Sequence, residues 1–252
     1  MEQLGSLDEF REVCADPLIV WAAQNMGSHV QVWTHGSAMA AAVTGLAQRD
    51  RVAVFGAVSD IVTIVRTLLD GPGPRYRPIG DDETIRQLCR ELPGLTPTPP
   101  FGWMTTRQPP THAAGTAMLA RDGDHAEIAA LLDGALPDSL ARPGLPGVAR
   151  WWVQTDASGV AACAADAFSA PTVGLLAGVA TAGRVRGRGL GRNVTETALG
   201  ALVRDYGSAA LMVDADNVAA QSLYHSVGMT YRPLRAAAPP PAPGQAYGVA
   251  AR

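Results

Sequence analysis

Between residues 178 and 199 the chain reads GVATAGRVRGRGLGRNVTETAL, arginine and glycine packed between an apolar run and an amphipathic one. Where a buried strand runs into a helix, the first-turn N–H groups have no intrahelical partners. Those donors and the helix dipole together attract anions. Gly187, Gly189 and Gly191 remove side chains from the inner wall, so backbone amides can approach a phosphate. Arg186, Arg188 and Arg192 add guanidinium forks that suit phosphate oxygens. The stretch reads as a pyrophosphate loop. It is not a dinucleotide fingerprint: counting G-x-G-x-x-G from Gly187 puts Arg192 where the third glycine belongs. That fingerprint also belongs near the first strand of its fold, whereas this loop lies late in the chain. The spacing is R-x-x-G-x-G, Arg186 to Gly189 to Gly191.

A second constellation follows in VDADNVAAQSLYHSVGM, residues 213–229. Asn217 opens a helix there, and Ala220, Gln221 and Tyr224 share one face with it at three, four and seven residues. Acyl transfer from a thioester expels a thiolate, whose thiol has a pKa of about 8.5, and a phenol of pKa about 10 can protonate it. Tyr224 is therefore the candidate general acid, against the plainer reading of a buried tyrosine with a satisfied hydroxyl.

The two stretches, in this order and separated by one helix and one strand, resemble motif A and the D-N-x-x-A-x-x-L-Y-x-x-x-G-[FM] segment of the GNAT acyltransferase superfamily. The resemblance covers roughly residues 120–235 and implies binding of acetyl-CoA or another acyl-CoA as cosubstrate. It implies that Val179, Ala180 and Thr181 line the pantetheine arm, Val179 and Thr181 by backbone hydrogen bonds. It implies that Arg186, Gly187, Arg188, Gly189, Leu190, Gly191 and Arg192 hold the pyrophosphate, and that Asn217 contacts the cofactor. The chain departs from the family pattern in two ways. Ala182–Gly183 replaces the common x-Pro, with Gly183 where many members have an acid. The strand GLLAGVAT contains no acid either, so the general base is not visible. Asp166 reads as solvent-facing at a hairpin end, Asp216 as a helix cap, Asp214 as a nearby acid without a chemical role, and His225 as a surface histidine.

The elements that must position these residues can be read along the chain. Ser6, with Glu9 three residues later, marks a helix start that Pro17 breaks or restarts. HVQVWTHG and RVAVFGA read as two successive strands, SDIVTIVRTLLDG as a helix capped by Ser59, PRYRPIG as a strand and DDETIRQLCRELPG as a helix. Residues 93–115, rich in proline and glycine, read as a connection. Trp103 and Met104 within it could line an acceptor cleft but fit a core better. After the helix DHAEIAALLDGAL come a hairpin turning at DASG, the strand TVGLLAGVAT and a helix with Val194, Ala198, Leu199 and Leu202 on one face. AALMVDAD, NVAAQSLYHSVG and MTYRPLR close the pattern as strand, helix and strand. The expected fold class is α/β with a mixed α+β sheet, in the GNAT acyltransferase fold. The domain reading is a degenerate GNAT-like or accessory unit over residues 1–115, an acyl-CoA-binding catalytic domain over 116–235, and a disordered Pro/Ala-rich tail over 236–252.

Composition narrows the function. Hydrophobic residues make up 47% of the 252 and charged ones 17%, enough for a real core. A net charge of −3 argues against coating nucleic acid. All 20 basic side chains are arginine, which excludes a Walker A loop, a pyridoxal Schiff base and a lysine nucleophile. Three separated cysteines, with no C-x-x-C pair, suggest neither zinc nor disulfides. No apolar signal core and no run of about 18 apolar residues occur, so a cytoplasmic protein without a membrane span is expected. The expected reaction is N-acylation, most simply acetylation, of a small-molecule or amino-acid-like amine by direct attack on the thioester. A CoA-binding regulatory or sensor protein and a protein or peptide N-acetyltransferase are the alternatives. The expected partner is a small amine, with a homodimer open.

Overall fold

A computed structural model describes residues 1–71, 75–111 and 117–239. The chain divides into two compact units, one of residues 1–102 together with the stretch from Arg232 onward, the other Trp103–Tyr231. The division falls at 102/103 instead of the expected 115. It also returns Arg232–Ala238 to the first unit.

The first unit opens with β1 (Glu2–Leu4), α1 (Leu7–Val13) and α2 (Pro17–Ala23). Ser6 accepts the Glu9 N–H while Glu9 accepts that of Gly5, closing both orphan donors at the start of α1. Asp16 accepts from Leu18 and Ile19 and leaves Pro17 at the first helical position, where its missing N–H costs nothing. Then come β2 (Val30–His35), β3 (Ala38–Leu46), β4 (Arg49–Phe55), α3 (Val58–Asp70), β5 (Arg77–Asp81), α4 (Asp82–Glu91) and β6 (Thr96–Pro97). β3 does not appear in the sequence reading. Ala38–Val43 are buried on both faces, and an alanine run buried on both sides shows neither alternation nor β-branched enrichment. Helix α3 starts two residues earlier than expected: Ala57, not Ser59, is its N-cap, and no side chain caps it. β2, β3 and β4 pair antiparallel, and β4 and β5 pair parallel. Ile61, Ile64 and Val65 of α3 pack on Ala40, Ala42, Val52 and Val54.

The second unit receives the later part of β7 (Phe101–Thr106), within what reads as a Pro/Gly connection. There Trp103 and Met104 are core residues, both buried. It continues with β8 (Met118–Leu119), α5 (His125–Ala135), β9 (Val148–Asp156), β10 (Gly159–Ala167), β11 (Gly174–Thr181), α6 (Leu190–Tyr206), β12 (Ala209–Asp214) and α7 (Val218–Ser226), with β13 (Thr230–Ala238) following. Its strands lie in the order β7-β12-β11-β10-β9-β8. β9, β10 and β11 pair antiparallel, and β11 and β12 pair parallel. Val194, Ala198, Leu199 and Leu202 are fully buried, as their spacing requires, against Trp152, Leu176 and Leu211.

Each unit thus repeats one order: three antiparallel strands, a helix, a strand parallel to the third, and a helix. Ala236 and Ala237, expected in a disordered tail, are buried residues of β13, which pairs with β5 and β6. The remainder of that expected tail, 240–252, lies outside the described residues. Among the described residues no helix is long and apolar enough to cross a membrane.

Candidate active site

β11 and β12 form a parallel ladder only at its start, Gly174, Leu175 and Leu176 against Ala209, Ala210 and Leu211. Beyond Leu176, β11 keeps β10 as its partner through Thr181, with a register shift opposite Cys163–Ala165. At that irregularity Gly178 stands at φ +59°, and the Cys163 thiol lies 3.5 Å from its carbonyl. The two parallel strands therefore part. Along Ala177–Thr181 the edge toward β12 has no ladder, and backbone N–H and C=O groups on it are open to an extended ligand. Val179 and Thr181 are half-buried on this stretch and Ala180 is buried.

After Thr181 a short turn of 3-10 helix, Gly183–Val185, leads into the loop. Gly187 and Gly189 adopt φ +78° and +82°, a region that β-carbon-bearing residues rarely enter. A β-carbon at either would meet nothing within 4 Å, so the space before them is free. Gly189 caps α6 with no side-chain capping bond. The N–H of Arg188 is taken by the Val185 carbonyl and that of Asn193 by the Gly189 carbonyl. Those of Leu190, Gly191 and Arg192 have no intrahelical acceptor. Gly191 is fixed by close approach, since a β-carbon there would lie 2.7 Å from the Thr181 hydroxyl oxygen. Backbone donors, bare inner wall and positive helix end thus coincide at one spot, and the residues fit a pyrophosphate.

The arginines divide. Arg186 is exposed and has no hydrogen bond or ion pair among the described residues, and Arg188 is exposed near enough to Asp156 to help hold its carboxyl below the usual range. Arg192 is engaged: it pairs with the buried Glu196 at 3.2 Å and donates to the Ser226 hydroxyl at 2.7 Å, tying α6 to α7. Arg184, without a role in the sequence reading, grips Asp156 with two nitrogens at 2.9 and 3.2 Å and anchors the loop's entrance. A separation of 28 positions leaves no sequence signal for that pair.

Asn217 caps α7, its side-chain oxygen accepting the Ala220 N–H at 3.1 Å, so the cap is Asn217 and not Asp216. Gln221 donates to the carbonyls of Asp214 and Ala215 and fixes α7 to the end of β12. Tyr224 is 7% exposed and its ring belongs to the core beneath α6. Its hydroxyl has no hydrogen-bond partner among the described residues, yet it is not among the sealed-in, unpaired polar atoms. Burial pushes this phenol up to about 12, so it stays protonated throughout the working pH range. His225 is exposed, as read, with its ring Nδ1 3.2 Å from the Met229 carbonyl.

Two further groups are removed from the chemistry. Asp166 does not face solvent: it is 1% exposed, accepts from Ser169 at 2.5 Å and Tyr206 at 3.0 Å, and forms an ion pair with Arg150 at 3.1 Å. Ser169, the partner three residues on, was the only cue near enough in sequence to have signalled this. The Cys163 thiol is pushed up to about 12 by burial, which keeps it a neutral thiol. Among the described residues no group of three His, Cys, Asp or Glu is placed to hold a metal ion.

Residues 156–236 match the family model described as FR47-like protein. No curated protein matches the chain. Among solved structures it is similar to a GCN5-related N-acetyltransferase from Kribbella flavida, at 16% identity and a TM-score of 0.59, over 89% of this chain and 96% of the other. It is similar to a GCN5-related N-acetyltransferase from Sphaerobacter thermophilus, at 16% identity and 0.53, over 86% and 82%. A GNAT-family acetyltransferase from Colwellia psychrerythraea matches at 9% identity and 0.52, over 94% and 98%. At these identities the likeness is one of fold. The chain thus shares the fold of GNAT acetyltransferase structures, and within it residues 156–236 match that family model.

Proposed function

We propose that the protein is an acyl-CoA-dependent N-acyltransferase, acetyl-CoA the simplest donor, acting on a small or amino-acid-like amine. The single observation that carries the reading is the parting of β11 from β12 directly before a glycine loop with open backbone donors. A thioester bound there supplies the activated acyl group. The edge of β11 at Val179 and Thr181 aligns the extended arm, and the donors of Leu190, Gly191 and Arg192 meet the diphosphate, with Arg186 and Arg188 adding charge. Tyr224 offers its unpartnered hydroxyl to the departing sulfur. With the phenol at about 12 and a thiol at about 8.5, full proton transfer is uphill by roughly 5 kcal/mol. A hydrogen bond donated to the departing sulfur is therefore its main contribution, and the proton that completes the thiol balances the one shed by the attacking amine. Two GNAT-like units in tandem also belong to this reading, on the repeated order of elements.

Calorimetric titration of acetyl-CoA into the native protein and a Gly189→Glu variant tests it. Glutamate would place bulk and negative charge at the loop and strain a left-handed position. Binding to the native protein alone supports the assignment and leads to a screen of amines. No binding to either would remove it. The second reading, a CoA-binding protein without chemistry, draws on the lack of any acid along Gly174–Thr181. Turnover with any amine in the screen eliminates it.

A further inference from the structure

In the first unit, Arg51 of β4 is only 8% exposed, and no carboxylate pairs with it among the described residues. Its Nε donates to the Leu46 carbonyl at 3.0 Å, and its guanidinium lies 6.0 Å from the Trp21 ring centroid. Among the described residues its two terminal nitrogens make no hydrogen bond, and neither is a sealed-in atom, so both meet solvent. Arg77 of β5 stands directly opposite Arg51 in the parallel ladder, and Arg49 lies two residues earlier on the same strand face. Both are half-buried, and neither has an ion pair among the described residues. The three repel one another: burial, then Arg49 and Arg77, lower the Arg51 guanidinium to about 10, and burial, then Arg49, lower that of Arg77.

A buried cation with no anion among the described residues, flanked by two more, is an arrangement that folding alone does not favour. Most other arginines of the chain have found acids, among them Arg142, Arg150, Arg184, Arg192, Arg232 and Arg235. We propose that Arg49, Arg51 and Arg77 form a binding site for a phosphoryl dianion, built from residues other than those of the glycine–arginine loop. Guanidinium forks match phosphoryl oxygens two at a time, and three positive charges suit a dianion better than a carboxylate. Trp21 is fully buried beneath Arg51 and offers no face for stacking a base, so the phosphoryl group itself is what the site would recognise.

The loop would also attract phosphate, so the test is made on the full chain in an Arg186→Gln/Arg188→Gln background. Inorganic phosphate and glycerol 3-phosphate are titrated separately at constant ionic strength and followed by calorimetry. Saturable binding of either is expected, and the better of the two identifies free phosphate or a monoester as the source. Adding Arg49→Gln/Arg77→Gln should weaken it at least ten-fold. Should that chain fail to melt cooperatively, Arg51→Met, which keeps an apolar stem over Trp21, takes its place with the same expectation. No saturable binding up to about 10 mM, or affinity unchanged by these substitutions, would overturn the proposal.

Discussion

Asp166 in the second unit and Arg51 in the first both lie beside the short parallel ladder of their unit, and both are nearly sealed from solvent. Asp166 is held on three sides, and its partner Arg150 is held in turn by Asp205 at 2.6 Å while lying 4.9 Å from the Trp152 ring centroid. Arg51 has one carbonyl and one aromatic face. The tyrosines of the second unit repeat the contrast. The Tyr206 hydroxyl donates to Asp166, whereas that of Tyr224 has no partner among the described residues. Burial of a polar group is therefore no mark of function by itself. On the roles proposed above, the satisfied members of these pairs are scaffold and the unsatisfied ones belong to sites.

Removing the satisfied member of each pair should cost stability, and removing the unsatisfied one should cost function. The largest effect is expected for Asp166→Ala, which leaves Arg150 and Tyr206 unpaired and should lower unfolding free energy by about 3–5 kcal/mol, measured by urea titration. Tyr224→Phe should cost on the order of 100-fold in kcat, the scale of one general acid, with the urea midpoint nearly unmoved; an unchanged kcat would return Tyr224 to the core. Tyr206→Phe should do the reverse, losing about 1 kcal/mol of stability and little turnover. Arg51→Met, in phosphate-free buffer, should be neutral or stabilising by about 1–2 kcal/mol, and a clear loss would mean that Arg51 is satisfied after all.

The smallest effect concerns pH. Tyr224 has its folded value raised to about 12, so its contribution to stability is complete below the ordinary phenol value of about 10. That contribution is lost as pH rises from there through the folded value. Between pH 6 and pH 9 no limb of the kcat profile should belong to Tyr224, which spectrophotometric titration beside Tyr224→Phe can check by the absence of one late-titrating phenol.

Much of the second unit was legible because its chemistry is local. Gly187, Gly189 and Gly191 sit within five residues of one another, and Asn217 and Tyr224 share one helix. The misreadings concern groups whose partners are distant. Asp166 read as a surface acid because Tyr206 is 40 residues away. The tie of Arg192 to Ser226 was not readable because the two lie 34 residues apart. β3 was lost for another reason: periodicity needs contrast, and alanine buried on both faces offers none. The alternation of FGWMTT was hidden by the prolines around it, although β7 itself contains none.

The exchange of end strands between chain halves bears on how the protein is made. The first unit takes Arg232–Ala238 beside β5 and β6, so it cannot close its sheet until nearly the whole chain has left the ribosome. At the usual pace of 5–20 residues per second, the β5 edge waits on the order of ten seconds, unpaired and open to other strands. Asp81 and Asp82 at that edge await Arg232 and Arg235 from the far end of the chain. A chain stopped before Arg232 should therefore aggregate through its first unit even though its second unit is whole, and light scattering of such a truncation beside the full chain would reveal it.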